Sequence, residues 1–300
     1  MSDPFEHLAP EAHAALAQGK EARLAFIKLR HWFDYPRATQ ILERLDELVT
    51  HPDVSRMPCL MVVGSSNNGK TSIAKVFVAK YPSVTDAEKA IVKMPVLFIA
   101  SLTDPSPFSL FTEIISLMGL PYSSTKDVLK LKIRVYALLK ELGVRVLVVD
   151  ELNTILPLTN AKRAAFLAEL RSLSVKAGIS VVCFTTTAGA RTASHDEAFT
   201  NRFPIMDLPV WELSDIWREM VRDHEGYLPF PQPSNLSSSS FSQTLLIKAD
   251  YRLGEMADLL EAMSSYAIKN NLPKLTTEVI KDCGWIPPQD RLGRVNALKA

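Results

Sequence analysis

"CLMVVGSSNNGKTSIAKVF", residues 59–77, places a glycine-containing loop between an apolar run and a segment of helical periodicity. The loop fills the pattern G-x-x-x-x-G-K-[ST] with Gly64, Gly69, Lys70 and Thr71. Glycines let the backbone curl so that its N–H groups point inward, and the following helix presents its positive end to the same anion. Lysine in this position reaches the β- and γ-phosphates of a nucleotide, and the hydroxyl group ligates Mg²⁺. We predict that the phosphates are bound by Gly64, Ser65, Ser66, Asn67, Asn68, Gly69, Lys70, Thr71 and Ser72.

Apolar runs and helical repeats alternate on either side of this loop. Short apolar runs without helical length predict buried strands, here over 59–64, 95–102, 144–151, 179–187 and 203–209. Segments with helical periodicity lie between them, over 70–81, 107–119, 126–142 and 160–177. This alternation predicts an α/β fold with a parallel five-stranded sheet flanked by helices. It also disfavours the alternative that the loop is a glycine-rich turn with an incidental lysine.

Helical segments also flank the alternating region. They are predicted over 10–31 and 36–50 before it, and over 243–250, 254–269 and 276–282 after it. Residues 229–243 are rich in proline and serine, which predicts a surface loop. We therefore predict four segments along the chain. They are an N-terminal helical segment (1–50), an α/β nucleotide-binding core (51–211), a small helical lid (212–283) and a flexible tail (284–300).

An acidic pair ends the third predicted strand. "VLVVDE" (146–151) places Asp150 and Glu151 at the edge where open parallel sheets bind their ligands. In phosphate-loop proteins such an aspartate holds Mg²⁺, so we predict Thr71 and Asp150 as metal ligands. The adjacent Glu151 is predicted to activate the attacking water. One predicted strand separates the loop from the acidic pair in sequence, which favours the additional-strand ATPases over kinases and GTPases. In that sheet order the two motif strands are not neighbours, and the expected activity is ATP hydrolysis.

The end of the fourth predicted strand and the residues before the fifth supply two further candidates. Thr186 lies in "TTT" (185–187), where a polar side chain would face the γ-phosphate; Thr185 and Thr187 are close alternatives. The competing explanation is that these threonines only cap the strand or start the next turn. Arg202 precedes the fifth strand and suits an arginine finger that stabilises charge in a neighbouring subunit's transition state. A surface salt bridge is the alternative for Arg202, and Arg191 is the second candidate for the finger.

The predicted lid departs from a common nucleotide-sensing pattern. In "YRLGEMADLL" (251–260), Gly254 is not followed by the G-x-x-R arginine, because Ala257 occupies that position. Arg252 precedes the glycine instead. The pattern assigns no role to Arg252.

Composition narrows the class of protein without naming a partner. Of the 300 residues, 47% are hydrophobic, so a large core is possible. The net charge is +1, so the overall charge gives no indication of nucleic-acid binding. The three cysteines are far apart and in no metal-ligand spacing, which predicts buried free thiols. The N-terminus lacks the features of a secretion signal, and no apolar stretch reaches the length of a membrane span. We expect no membrane association and a bacterial cytoplasmic location.

Three stretches resemble the AAA+ ATPases of transposons, specifically the TniB family, with the TnsC, MuB and IstB proteins more distant. They are "RHWFDYPRATQILERLDELVTHPDVSRMPCLMVVGSSNNGKTSIAKVF" (30–77), "VRVLVVDELNTIL" (144–156) and "FTNRFPIMDLPVW" (199–211). The resemblance covers roughly residues 25–270. One departure is that the family commonly has histidines directly after the acidic pair, where this chain has Leu152, Asn153 and Thr154.

The resemblance implies a function that the motifs alone do not. Family members bind ATP, form rings or helical filaments on double-stranded DNA, and recruit or stimulate a DDE transposase. They also work with a TniQ-type target-selection protein, and hydrolysis controls disassembly. By the same resemblance the DNA surface would include Thr125, Lys126, Lys130 and Lys132, with Arg134 beside them, through sequence-tolerant phosphate contacts. A solvated helix face is the alternative for each of these lysines.

Two other functions fit the motifs. A helicase loader or replication initiator of similar build would carry a helicase-binding segment or a winged-helix domain, and little room follows the serine-rich loop for the latter. A non-hydrolysing scaffold would use ATP only to hold its subunits together. The intact Glu151 argues against that scaffold.

Overall fold

The computed structural model describes residues 5–86, 91–121 and 127–291. Its contacts divide the chain into two units. The first unit contains residues up to 35, residues 67–69 and residues from 210 onward; the second contains residues 36–66 and 70–209. The four predicted segments stay a prediction, since this division is one of contacts and groups the chain's beginning with its last third.

A parallel five-stranded sheet lies at the centre of the second unit. The strands of the described chain are β1 (Leu60–Gly64), β2 (Val84–Asp86), β3 (Ile91–Lys93), β4 (Val96–Ile99), β5 (Val146–Val149), β6 (Ser180–Thr185) and β7 (Ile205–Leu208). The sheet order is β4-β5-β6-β1-β7, and every pair in it is parallel. The predicted fold class is confirmed, and β6 separates the phosphate-loop strand from the acidic-pair strand as expected.

The apolar, valine-rich sequences of β5 and β6 suit their positions inside the sheet. All residues of β5 and β6 are buried, as expected of parallel strands that are covered by helices on both faces. On the register, Val63 in β1 lies opposite Thr185 in β6, and Val149 in β5 lies opposite Cys183. The carboxyl ends of these three strands therefore meet at one edge of the sheet.

Helices of the second unit pack on this sheet. They are α3 (Pro36–Thr50), α4 (Lys70–Ala79), α5 (Pro107–Leu117), α6 (Val128–Glu141), α7 (Asn160–Ser172), α8 (Thr187–Ala193) and α9 (Glu197–Thr200). Polar caps fix several starting points: Ser106 forms a capping box with Ser109 at α5, and Asp127 accepts two backbone N–H groups at α6. Phe199 and Phe203 stack within the buried core at a centroid distance of 4.0 Å.

The first unit is helical in its described part. Its helices are α1 (Pro10–Ala17), α2 (Lys20–Phe26), α10 (Asp215–Gly226), α11 (Ser239–Lys248), α12 (Leu253–Lys269) and α13 (Val279–Asp282). Trp217 of α10 is fully buried, and its indole Nε1 donates to the Ser242 carbonyl over 3.0 Å. Within the described ranges, no helix has both the length and the hydropathy to cross a bilayer.

Several element boundaries differ from the sequence prediction. The single helix expected over 10–31 is two helices, because Gly19 adopts φ 93° between them. The sequence analysis does not predict helix α10 or the antiparallel pair β2–β3. The loop expected over 229–243 is partly ordered by Glu225, whose carboxylate accepts backbone N–H bonds from residues 234–236 at 2.7–2.8 Å. The tail expected over 284–300 begins with residues 285–291, which have defined contacts; the rest of it lies outside the described residues.

Candidate functional site

Lys70 is the buried cation of the phosphate loop. Helix α4 begins at this residue, which is 5% exposed. Its Nζ donates to the carbonyl oxygens of Gly64 (3.0 Å) and Ser65 (2.7 Å). Burial lowers the pKa of Lys70, while the nearby carboxylates of Glu151 and Asp150 raise it. The ammonium group is therefore held inside the loop with its donors on backbone acceptors, from which it can turn to phosphate oxygens.

The two predicted metal ligands are in direct contact. The Thr71 hydroxyl donates to the Asp150 carboxylate over 2.6 Å, and the other carboxylate oxygen accepts the Glu151 N–H over 2.9 Å. Burial raises the pKa of Asp150, which these two hydrogen bonds oppose. Magnesium prefers one or two protein oxygens together with phosphate oxygens and water, which fits a hydroxyl and a carboxylate side by side. Among the described residues no cluster of three or more His, Cys, Asp or Glu side chains could hold a metal instead.

Glu151 occupies an unusual backbone conformation beside this pair. Its φ is 52° with ψ 40°, in the left-handed region, directly before the 3₁₀ helix Leu152–Ile155. Non-glycine residues in this region carry strain of order 1–3 kcal/mol and are found disproportionately at functional sites. The sharp turn aims successive side chains in different directions, so that Asp150 contacts Thr71 while Glu151 is only half-buried.

The two motif glycines are required for different reasons. A Cβ on Gly64 would lie 2.8 Å from the Leu208 carbonyl oxygen on β7, so close strand packing excludes a side chain there. Gly69 has φ +92°, which L-residues with side chains rarely adopt. Gly64 therefore allows β1 to pack closely against β7, and Gly69 allows the backbone of the loop to turn.

The loop tip, residues 67–69, groups with the first unit. Asn67 has φ 55°, and its side-chain Nδ2 donates to Glu255 (3.1 Å) and Asp258 (3.0 Å) of α12. The Gly254 N–H donates to the Asn67 carbonyl over 3.0 Å. A Cβ on Gly254 would lie 2.1 Å from the Asn67 Oδ1, so this position has no room for one. The first turn of α12 thus holds the loop tip.

The threonines at the end of β6 have different surroundings. Thr186, the predicted sensor, is the N-cap of α8, and its hydroxyl oxygen accepts the Gly189 N–H over 3.2 Å. Thr185 is fully buried, and its hydroxyl lies 2.1 Å from where a Gly189 Cβ would be. That same Cβ would lie 3.0 Å from the Asn153 Cα, so Gly189 lets α8 pack against the turn after the acidic pair.

The arginine candidates also differ. Arg202, the predicted finger, is half-buried and donates to the Met57 carbonyl (2.7 Å) and to the Ser174 hydroxyl (3.2 Å) within its own unit. Arg191 is exposed in the last turn of α8. Arg252 forms an ion pair with Asp250.

The residues predicted to contact DNA are only partly described. Thr125 and Lys126 lie outside the described residues. Lys132 on α6 is paired with Glu169, with Nζ–oxygen distances of 2.7 and 2.9 Å. The Lys130 side chain is 76% exposed, and its Nζ lies 3.6 Å from a carboxylate oxygen of Asp127, the N-cap of the same helix. Of these two lysines, Lys130 is the one available to an external phosphate.

Sequence reasoning misses Glu255 and Asp258, which contact the loop tip in the first unit, and Gly189, which packs beside Thr185 in the second. It places Glu255 and Asp258 only within a lid that lacks the sensing arginine, and it gives Gly189 no role. The sequence signal that could have indicated these contacts is a glycine within a helical segment, at Gly189 and at Gly254. Neither glycine identifies its contact partner, because those partners are far away in sequence.

Comparison with known proteins relates these observations to a family and a fold. A family model described as bacterial TniB protein matches residues 23–213. The comparison with curated proteins finds no match.

Solved structures with the same fold include ORC and CDC6P proteins. The chain is similar to CDC6P from Pyrobaculum aerophilum, with a TM-score of 0.62 at 13% identity over 86% of this chain and 69% of that chain. It is also similar to the Aeropyrum pernix ORC2 protein in its ADPNP-ADP complexes, with a TM-score of 0.61 at 15% identity over 86% and 71% of the two chains. The ORC1 protein of the same organism, in complex with DNA, gives a TM-score of 0.58 at 13% identity over 86% and 66%. Likeness at these identities shows the shared AAA+ fold.

Proposed function

The chain belongs to the bacterial TniB family, and from that membership we propose that it is an AAA+ ATPase that assembles on double-stranded DNA to regulate transposition. The observation that carries the proposal is the contact between Thr71 and Asp150, 2.6 Å apart beside the buried Lys70. A strand-end aspartate on a phosphate-loop hydroxyl is the arrangement that Mg²⁺–nucleotide binding needs.

The residues of the site divide the chemistry among them. Backbone N–H groups of the loop and Lys70 bind the phosphates, and Thr71 and Asp150 hold Mg²⁺. When bound, the metal neutralises negative charge on the phosphates. Glu151 accepts a proton from the attacking water, and Thr186 orients the γ-phosphate through the proton of its capping hydroxyl.

An arginine from a neighbouring subunit is proposed to complete the site. Arg202 is the candidate that the sequence favours, but its guanidinium is already bonded to Met57 and Ser174. Arg191 is exposed at the surface of α8. Its exposure supports Arg191 as the alternative finger.

DNA binding is proposed to be sequence-tolerant and dependent on ATP. Lys130 and Arg134 are described candidates with exposed side chains, and phosphate contacts by such cations carry no base information. Two structural neighbours, the ORC1 protein in complex with DNA and the ORC2 protein in its ADPNP-ADP complexes, agree with a fold that serves both ligands. The proposed partners in transposition are a DDE transposase and a TniQ-type target-selection protein.

The first test is binding to random-sequence duplex DNA, followed by negative-stain microscopy. ATP, a slowly hydrolysed analogue, ADP and no nucleotide are compared, with Lys70→Ala as the matched variant. Ordered assemblies only with ATP or its analogue, and none with the variant, would support the proposal. A protein that hydrolyses ATP yet stays monomeric and ignores DNA would contradict it and would favour a protein client, as for a helicase loader.

A further inference from the structure

The carboxylate of Glu255 receives hydrogen bonds from two distant parts of the first unit. Its side chain is only 5% exposed. One oxygen accepts from Asn67 Nδ2 in the phosphate loop over 3.1 Å. The same carboxylate accepts two bonds from the Arg291 guanidinium, at 2.6 and 3.1 Å. Glu255 therefore links the loop tip to a residue near the end of the chain.

On the loop side, Glu255 acts on a residue whose conformation is not the default one. Asn67 adopts φ 55°, a left-handed value that persists only when neighbouring groups hold it. The holding groups are Glu255 and Asp258 at its side chain and the Gly254 N–H at its carbonyl. Because Asn67 lies within the phosphate-binding loop, these contacts determine how the loop is shaped before nucleotide binds.

On the chain-end side, Arg291 is part of a self-supporting hook formed by residues 285–291. Its guanidinium lies over the Trp285 ring at 5.1 Å from the centroid, and its Nε donates to the Ile286 carbonyl over 3.2 Å. A planar guanidinium that forks onto a carboxylate gives two bonds with fixed geometry. The interaction lowers the pKa of Glu255 against the opposing effect of burial.

We propose that Glu255 is a positioning residue for the phosphate loop, and that Arg291 couples the 285–291 hook to nucleotide binding through it. The inference rests on the proposed function only in requiring that the loop binds nucleotide. Removing Arg291 leaves a buried carboxylate without its cation, which is strongly unfavourable and favours rearrangement of the carboxylate. The loop tip then has to be ordered during binding, which lowers affinity.

Coupling of this kind acts in both directions. If the hook raises nucleotide affinity, bound nucleotide must stabilise the docked hook by the same free energy. A partner that pulls residues 285–291 away from Glu255 would therefore weaken nucleotide binding. Such a partner would promote nucleotide release without contacting the nucleotide.

The experiment measures dissociation constants for a fluorescent ADP and a slowly hydrolysed ATP analogue in four main proteins, with two further variants as controls. They are the wild type, Arg291→Ala, Glu255→Gln and the double variant. Arg218→Ala is the matched control, because Arg218 pairs with Asp215 within α10 of the same unit, away from the loop contacts. We expect Arg291→Ala to weaken binding about fivefold or more, the lower end of common coupling factors. The double variant should be no weaker than the weaker single variant, and Arg291→Lys should restore part of the affinity.

A second readout separates positioning from general stability. Hydrogen exchange of residues 285–291 should slow when nucleotide binds the wild type, and should not respond in Glu255→Gln. Unchanged affinity in Arg291→Ala, or equal weakening in Arg218→Ala, would overturn the inference. A wild type that binds no nucleotide would instead overturn the proposed function, so the two failures are distinguishable.

Discussion

The Thr71 hydroxyl and the Asp150 carboxylate, 79 positions apart in the chain, form a 2.6 Å hydrogen bond at the sheet edge. The bond exists because β6 alone separates β1 from β5, so that the residues following these two strands meet. It joins the phosphate loop and the acidic pair, which are separate motifs in the sequence.

Replacing Asp150 by Asn should remove the magnesium dependence of nucleotide binding. The amide keeps the shape but loses the charge that attracts the cation. Since burial raises the pKa of Asp150, the fold favours its neutral form, so Asp150→Asn should leave the free energy of unfolding unchanged or raise it. Nucleotide titrations with Mg²⁺ and with EDTA, together with urea unfolding, test both expectations. A variant that still gains affinity from Mg²⁺ would remove Asp150 from the metal site.

Glu151→Gln should separate binding from hydrolysis. We expect nucleotide affinity near that of the wild type and a turnover lower by about 10²–10⁴-fold, the usual contribution of a general base. Phosphate release under saturating ATP measures the turnover. Unreduced turnover would contradict the assignment, and the absence of turnover in the wild type would favour the non-hydrolysing scaffold.

Gly189→Ala should destabilise the second unit. The new methyl group would lie 2.1 Å from the Thr185 hydroxyl and 3.0 Å from the Asn153 Cα, and overpacking of this kind costs about 1–3 kcal/mol. Urea unfolding measures the change, and the double variant Thr185→Ala/Gly189→Ala should regain part of it. A single variant as stable as the wild type would show that α8 can move without penalty.

Replacing each of the two candidate arginine fingers by alanine should have a different effect. Arg202→Ala should lower the free energy of unfolding by about 2 kcal/mol, because the Met57 carbonyl and the Ser174 hydroxyl lose a charged donor. Arg191→Ala should leave stability unchanged and lower ATP hydrolysis in assembled protein. The opposite pattern, in which Arg202→Ala is stable but inactive, would identify Arg202 as the finger.

Acidification should destabilise the first unit through His224. Its ring packs 4.2 Å from Phe33, and its Nδ1 donates to the Met220 carbonyl over 2.8 Å. Burial lowers the pKa of His224 from 6.5 to about 4, with His31 and Arg30 adding to the effect. The unfolded chain therefore binds a proton before the folded one does, and stability should fall as pH drops from about 6.5 to 4, then level off.

Protonation of His224 in the unfolded chain should lower the free energy of unfolding by up to about 3 kcal/mol over this pH interval. His224→Asn should flatten the slope of unfolding free energy over that interval. His31 contributes in the same direction, since burial also lowers its pKa, so a residual slope is expected. An unchanged slope in His224→Asn would contradict the assignment.

The sequence alone predicted the sheet and named the residues that meet at its edge. Runs such as "VLVV" (146–149) are short, apolar and rich in β-branched residues, which favours buried strands, and the loop has the spacing of a phosphate-binding motif. Local signals of this kind are sufficient to identify Lys70, Thr71, Asp150 and Glu151. They also predict the separation of the two motif strands, which the topology confirms.

Only the tertiary structure decided which charged side chains already have a hydrogen-bonding or ionic partner within the chain. Arg202 and Lys132 look equally free in the sequence, yet one is bonded to Met57 and the other to Glu169. The link from Arg291 through Glu255 to Asn67 spans the chain, with Asn67 and Glu255 188 positions apart. Sequence periodicity reports only neighbours within a few residues, whereas these contacts depend on how distant segments pack. For that reason the motif residues could be named from the sequence, and the residues that hold them in place could not.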